Sequence, residues 1–181
     1  MKLVIIDRDG TLNAPLEDFG KSVEEWNPLP GALEAVARLN HAGYHVVIAT
    51  HQPELGRGLV DMAALNAVHA QMHKRLAAIG GRIDAVFLCP HVADEACHCR
   101  PPLPGLFEQI AERFGMPLTQ VPVVSASADL LSAAAAAGGD PQGLAPLAPG
   151  GALLVSVHAD LAAFAESLIE RDARARQPAS A

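Results

Sequence analysis

Short apolar runs alternate along this chain with longer segments in which apolar residues recur every three or four positions. The short runs predict buried strands, and the longer segments predict amphipathic helices that cover them. This alternation is typical of an α/β fold with a mainly parallel central sheet. The predicted strands are 3–6, 44–49, 85–88, 121–124 and 153–157, and the predicted helices are 31–42, 61–79, 106–114, 129–137 and 161–171.

Proline, glycine and polar residues mark the loops between these elements. The predicted loops are 18–30, 50–58, 89–105 and 141–152. We expect one domain over residues 1–171 and a flexible tail over residues 172–181. His69 and His73, four residues apart on the longest helix, lack the glutamate of a zinc protease motif and are expected on its exposed face.

The composition favours a soluble protein with one sizeable core. Half of the 181 residues are hydrophobic, and 13 Lys+Arg against 20 Asp+Glu give a formal charge of −7. This balance excludes a general attraction to nucleic acid or to anionic membranes. Asp7 follows only a short apolar run, so we expect neither a signal peptide nor a membrane span at the start. We therefore expect a cytoplasmic, monomeric protein.

The three cysteines of the chain lie together in one predicted loop. An odd number of cysteines without an export signal argues against a disulfide framework. One histidine of the loop completes a set of three sulfurs and one imidazole, which zinc prefers as four tetrahedral ligands. The predicted ligands of this structural zinc site are Cys89, His91, Cys97 and Cys99. The alternative is a set of buried cysteines without a metal.

Two carboxylates follow the first predicted strand, in the sequence Asp7-Arg8-Asp9-Gly10-Thr11. Ligands of doubly wound sheets bind at the carboxyl ends of the strands, so both carboxylates reach the expected site. One carboxylate can attack phosphorus and form an aspartyl-phosphate, while its neighbour acts as general acid and base. The alternative is a polar loop that only caps the strand.

The segment from Ile5 to Asn13 resembles the first motif of the haloacid dehalogenase superfamily. More narrowly, it is similar to the D-glycero-D-manno-heptose-1,7-bisphosphate phosphatase and histidinol-phosphatase family, over residues 1 to about 115. The resemblance implies a Rossmann-like three-layer sandwich with a parallel sheet, no large cap domain and a zinc loop over the site. It also implies that Asp7 is the nucleophile, that Asp9 is the acid and base, that both hold Mg²⁺, and that Asn13 borders the substrate.

The second motif of the family also has a counterpart in this chain. Thr50 ends a predicted buried strand, and the resemblance implies that its hydroxyl holds a phosphoryl oxygen. In the following loop Gln52 and Arg57 match the family, and a guanidinium can bind a second phosphate bidentately. The alternative for Arg57 is a solvated loop arginine. The loop departs from the family at His51, Pro53 and Glu54.

The third and fourth motifs depart further from the family. Arg100 matches a phosphate ligand beside the family's structural zinc loop, but Pro101 stands where the resemblance calls for a lysine that neutralises the transferring phosphoryl group. Counted back from Gly138, the positions of a glycine and two aspartates in the fourth motif hold Ser125, Ala126 and Leu130. Mg²⁺ requires near-octahedral oxygen ligation, so the loss of carboxylates weakens its binding.

These observations predict a phosphatase-family protein whose activity is lost or strongly reduced. The alternative is an active Mg²⁺-dependent phosphatase on a sugar bisphosphate or another small phosphate, with Asp129 as the substitute metal ligand. Either alternative implies a small phosphorylated metabolite, such as a sugar phosphate, as the ligand. An inactive scaffold is also open to a protein partner.

Overall fold

The computed structural model describes residues 1–15, 26–147 and 155–176. Within these ranges, six strands form one sheet in the order β3-β2-β1-β4-β5-β6. Every neighbouring pair is parallel. The strands are β1 Lys2–Ile6, β2 Tyr44–His51, β3 Ala85–Cys89, β4 Pro122–Ser125, β5 Asp140–Leu144 and β6 Ser156–His158.

Helices cover both faces of this sheet because each strand alternates its apolar side chains between two cores. Val4 and Ile6 pack into one hydrophobic cluster with α1, α3 and α6, whereas Leu3 and Ile5 pack into the other with α4 and α5. The helices are α1 Ala32–His41, α2 Pro53–Gly56, α3 Met62–Ala77, α4 Gly105–Phe114, α5 Ala128–Ala136 and α6 Leu161–Arg176. The result is the predicted three-layer α/β sandwich. No helix of the described ranges is long and apolar enough to cross a membrane.

Several element boundaries differ from the sequence prediction. Strand β5 begins one residue before the predicted loop 141–152 and occupies its first residues, and it forms because β4 and β6 flank it on both sides. Helix α2 occupies part of the predicted loop 50–58. Residues 18–25 of the predicted first loop, and 153–154 of the predicted last strand, lie outside the described residues.

Helix α6 continues to Arg176, beyond the predicted end at residue 171. Asp172 contacts two residues of the sheet: it forms an ion pair with Lys2 of β1, and the Tyr44 hydroxyl donates a hydrogen bond of 2.7 Å to it. Asp172 is therefore part of a packed helix in place of the tail that we predicted there. Residues 177–181 lie outside the described residues.

The parallel arrangement brings the ends of four adjacent strands to one edge of the sheet. Asp7 directly follows β1, while His51, Cys89 and Ser125 are the last residues of β2, β3 and β4. The order β3-β2-β1-β4 makes these ends neighbours. The predicted catalytic motifs and the predicted zinc loop therefore meet at this edge, as expected for a ligand site in such a sheet.

Candidate active site

Asp7 is buried at the carboxyl end of β1, with 6% of its surface exposed. The backbone N–H of Arg8 donates to Oδ1 of Asp7 at 2.7 Å, and the Ser125 hydroxyl donates to Oδ2 at 2.7 Å. Burial raises the pKa of Asp7 to about 7, although these two hydrogen bonds oppose the rise. The carboxyl group therefore changes its protonation state near neutral pH.

Asp9 is held by charged and neutral donors on both of its oxygens. The Arg8 guanidinium donates from Nε and Nη2 to the two oxygens at 3.0 Å each. The side chains of Asn13 and Gln52 add hydrogen bonds of 2.9 Å and 2.6 Å. Arg8 is fully buried, so this bidentate pair is shielded from water on the arginine side. Asp9 is therefore fixed in one orientation.

His69 of α3 completes the surroundings of Arg8. Nη1 of Arg8 lies 3.2 Å from Nε2 of His69, and a guanidinium can only donate, so Nε2 accepts. Burial and the charge of Arg8 lower the pKa of His69 to about 4, which keeps the ring neutral. The expectation of an exposed His69 was wrong, whereas His73 is exposed. Spacing gives the signal for this, because His69 falls between Leu65 and Met72 on the buried face of α3.

Thr50 and Gln52 extend the same network into β2. Both side chains are buried, and Nε2 of Gln52 donates to the Thr50 hydroxyl at 2.8 Å and to Asp9. Gln52 therefore links the second predicted motif to the first. Three of the residues predicted from the sequence, Asp9, Thr50 and Gln52, are thus in direct contact.

A cavity of about 500 Å³ opens above these residues. Four carboxylates and one arginine are among its lining side chains, so acidic groups outnumber basic ones. These five are Asp7, Asp9, Glu54, Asp129 and Arg100. Asn13, predicted to border the substrate, lies fully buried beneath Asp9. Arg57, predicted to bind a second phosphate, is exposed and is not among the lining residues.

Arg100 is partly committed to its own loop. Its Nη1 donates to the backbone carbonyl of Val92 at 2.6 Å and approaches the carbonyl of Glu95 at 3.3 Å. The next residue, Pro101, also lines the cavity but carries no charge. Of the two residues at the predicted third motif, Arg100 therefore supplies the positive charge, and its side chain is already partly engaged in hydrogen bonds to the backbone.

The positions of the fourth motif pack as neutral residues. Ser125 is fully buried and bonds to Asp7, and its oxygen also accepts from the backbone N–H of Ser127 at 2.8 Å. Ala126 packs against one hydrophobic cluster, and Leu130 belongs to the other while lining the cavity. Exposed Asp129, in the first turn of α5, is the carboxylate that this segment offers to the cavity.

The predicted zinc ligands lie together in the loop after β3. The ligand atoms of Cys89, His91, Cys97 and Cys99 all lie within 4.8 Å of one another. Nδ1 of His91 is 3.2 Å from Sγ of Cys99, which in turn is 3.0 Å from Sγ of Cys89. Three sulfurs and one imidazole nitrogen at this spacing fit a closed tetrahedral zinc site. Among the described residues, no other group of three or more His, Cys, Asp or Glu ligand atoms lies this close together.

Two glycines allow helices to contact the loop of residues 89–99, which we call the metal loop. The N–H of Gly105 donates to the carbonyl of His98 at 2.9 Å, and a Cβ at Gly105 would lie 2.4 Å from that oxygen. The N–H of Gly56 donates to the carbonyl of Pro90 at 3.1 Å, and a Cβ there would lie 2.5 Å from it. The metal loop therefore packs against α2 and α4 at distances that only glycine permits.

The parallel sheet with an acidic pair at the end of its first strand defines the class of haloacid dehalogenase phosphatases. A crystal structure of D,D-heptose 1,7-bisphosphate phosphatase from Bordetella bronchiseptica, complexed with magnesium and phosphate, superposes with a TM-score of 0.89 at 48% identity. The superposition covers 94% of this chain and 99% of the chain of the Bordetella structure. The corresponding phosphatase from Burkholderia thailandensis gives a TM-score of 0.73 at 45% identity, covering 93% and 99%.

Sequence comparison gives the family more narrowly. The D-glycero-beta-D-manno-heptose-1,7-bisphosphate 7-phosphatase of Bordetella bronchiseptica is 49% identical over 177 residues, which covers 94% of this chain and 99% of the relative. That of Pseudomonas aeruginosa is 38% identical over 177 residues, covering 93% and 98%. No family model matches the chain. The chain belongs to the D-glycero-beta-D-manno-heptose-1,7-bisphosphate 7-phosphatase family, which confirms the resemblance and the fold class predicted from the sequence.

Proposed function

We propose that this member of the phosphatase family has lost phosphoryl transfer or retains it at a strongly reduced rate. The observation that carries the proposal is the surroundings of Asp7. The carboxylate in the nucleophile position is held by a neutral serine hydroxyl and a backbone N–H, and no lysine is among the described residues that line the cavity. Burial also raises the pKa of Asp7 to about 7 when no metal ion is bound, so part of the population is protonated at neutral pH and cannot attack as a carboxylate.

Electrostatics supports the same proposal. Catalysis of phosphoryl transfer depends on positioning and on stabilising the charge of the transferring group. The cavity offers Arg100, half engaged with Val92, against several carboxylates. Asp9 is paired with Arg8, but Glu54 and Asp129 have no ion-pair partner among the described residues, and these two carboxylates repel an incoming phosphate dianion.

The carboxylates of the cavity fit Mg²⁺ poorly. Each oxygen of Asp9 already accepts two hydrogen bonds and each oxygen of Asp7 accepts one, so few lone pairs remain for a metal ion. Asp129 is the remaining carboxylate that the fourth motif offers to the cavity. Mg²⁺ requires near-octahedral oxygen ligation and gives up its water reluctantly. We therefore propose that Mg²⁺ binds weakly here, whereas the four ligands of the metal loop hold a structural zinc.

The second candidate function is a Mg²⁺-dependent phosphatase acting on a sugar bisphosphate or another small phosphate. The observation that favours it is the position of Asp129, which lines the same cavity as Asp7 and Asp9. In this case Asp7 is the nucleophile, Asp9 the acid and base, and Thr50 a holder of the phosphoryl oxygen. Of the four substrate contacts expected from the family resemblance, Gln52 and Arg100 line the cavity and supply them directly. Asn13 acts from beneath Asp9, and Arg57 reaches a substrate only if its loop moves toward the cavity.

For either candidate we propose a small phosphorylated sugar as the ligand, because the relatives are named for a heptose bisphosphate. A cavity of about 500 Å³ is of the size that small-molecule sites have. We also propose a monomeric, cytoplasmic protein with one domain.

The experiment that separates the candidates is phosphate release from D-glycero-β-D-manno-heptose 1,7-bisphosphate and from a panel of small phosphomonoesters, with and without Mg²⁺. Asp7→Asn, prepared in the same way, controls for a contaminating phosphatase. Release no faster than this control supports the loss of activity. Release that requires Mg²⁺ and disappears in Asp7→Asn contradicts it and favours the second candidate, which Asp129→Asn then tests.

A gain-of-function variant tests the physical reason. Pro101→Lys, Ala126→Asp and Leu130→Asp together restore the residue types that the family resemblance calls for. We expect Mg²⁺-dependent phosphate release in this triple variant and none when Asp7→Asn is added to it. A folded triple variant without activity would show that departures elsewhere, such as Pro53 and Glu54, also disable the site.

A further inference from the structure

His51 connects the cavity to the metal loop. It is the last residue of β2, in register with Cys89 at the end of β3. Its ring Nε2 lies 2.9 Å from the backbone carbonyl oxygen of His91. Because a carbonyl oxygen can only accept, Nε2 of His51 carries the proton and donates it. A residue that lines the cavity is thus bonded to the backbone of a candidate zinc ligand.

Two backbone hydrogen bonds extend this connection. The N–H of Gln52 donates to the carbonyl of Cys89 at 2.8 Å, and the N–H of Gly56 donates to the carbonyl of Pro90 at 3.1 Å. Three consecutive residues of the metal loop are therefore held by the segment 51–56. The same segment reaches the catalytic motif, because the Gln52 side chain donates to Asp9 at 2.6 Å.

We propose that His51 is a positioning residue for the metal loop, and that it couples zinc binding to the structure of the cavity wall. The ring fixes the backbone of His91 and thereby aims its imidazole at the three sulfurs. Groups that orient metal ligands change metal affinity by about 10- to 100-fold when they are removed. The coupling is reciprocal, so zinc in turn stabilises the segment 51–56. This coupling rests on the structural zinc proposed above and is independent of catalytic activity.

The experiment compares zinc affinity among full-length variants, using zinc alone and a chromophoric chelator as competitor. We expect His51→Ala to bind zinc about tenfold more weakly than the unchanged protein. His51→Gln retains a donor N–H and is expected to recover part of the loss. His73→Ala removes an exposed histidine of α3 and is the matched control, with unchanged affinity. Equal zinc affinity for His51→Ala and the unchanged protein would overturn the proposal.

Amide hydrogen exchange tests the reciprocal effect in the unchanged protein and does not require any variant to fold. We expect the amides of Gln52 and Gly56 to exchange faster after zinc is removed, while amides of α1 on the opposite face of the sheet keep their rates. Equal exchange of the segment 51–56 with and without zinc would refute the coupling, and so would a protein that binds no zinc. Neither readout measures phosphate release, so the result stands apart from that of the proposed function.

Discussion

Replacing the buried carboxyl of Asp7 by an amide is expected to change how the stability of the fold depends on pH. The pKa of Asp7 is about 7 in the folded protein, against the ordinary value of 3.8, and the first cause is burial. Between these two values the folded state binds one proton more than the unfolded state. Stability from this group is therefore greatest at low pH and falls by about 1.4 kcal/mol per pH unit as the pH rises through the interval.

The full interval corresponds to about 4 kcal/mol, of which more than half falls between pH 5 and pH 8. Asp7→Asn has nearly the same shape and can still bond to Ser125, but it carries no charge. We therefore expect Asp7→Asn to be more stable than the unchanged protein at pH 8 by up to about 4 kcal/mol, or roughly 10 °C in Tm. At pH 5 the advantage shrinks to less than about 2 kcal/mol.

The assay is urea-induced unfolding of the zinc-loaded proteins in Mg²⁺-free buffer, at several pH values from 5 to 8. Only the difference between the two proteins is interpreted, because the other titrating groups then cancel. Asp129→Asn is the matched control, since it removes an exposed carboxylate from the same cavity. A difference between Asp7→Asn and the unchanged protein that stays constant from pH 5 to pH 8 would refute the buried-carboxyl argument.

Three further predictions concern the stability of the fold and of the metal loop. Gly105→Ala places a methyl group 2.4 Å from the carbonyl oxygen of His98. We therefore expect denaturant unfolding to show a loss of about 1–3 kcal/mol in stability, together with weaker zinc binding. An unchanged unfolding midpoint would contradict the tight contact. Asp172→Ala removes a partly exposed ion pair with Lys2 and the hydrogen bond from Tyr44. We expect the free energy of unfolding to fall by about 1 kcal/mol, and by less in high salt. A loss that is independent of salt would favour packing as its cause. Zinc removal by a chelator is expected to lower the Tm and to expose the cysteines to thiol reagents, whereas equal thiol reactivity before and after chelation would rule out a cysteine-ligated metal.

The central strands were predictable because their apolar runs are local and strong. Strands β1 to β4 appear at the predicted places to within about two residues. Strand β5 was not predictable from its own residues, since Pro141 and Gly143 disfavour a strand. It forms because the strands before and after it along the chain, β4 and β6, supply hydrogen bonds on both sides.

The residue types of the candidate site were predictable from the sequence, but the contacts between them were not. The candidate zinc ligands follow from spacing within one loop, and the acidic pair follows from its place after a strand. The network around Asp9 depends on Arg8, a residue whose type usually indicates exposure, and on His69, which arrives from α3. Arg57 matched a motif, yet the path of α2 leaves it exposed. Contacts of this kind depend on how helices and strands pack against one another, and the periodicity of a single element carries no information about that packing.

The position of β1 in the sheet has a consequence for synthesis on the ribosome. β1 emerges first, but it is a central strand whose two neighbours are β2 and β4. The edge of β1 at Ile5 and Ile6 has no strand partner until Val123 and Val124 are synthesised, more than a hundred residues later. Until then a nascent chain exposes an apolar strand edge, which is a place where unfinished proteins associate wrongly. The order of translation thus makes β4 the segment whose arrival closes the sheet around the candidate catalytic carboxylates.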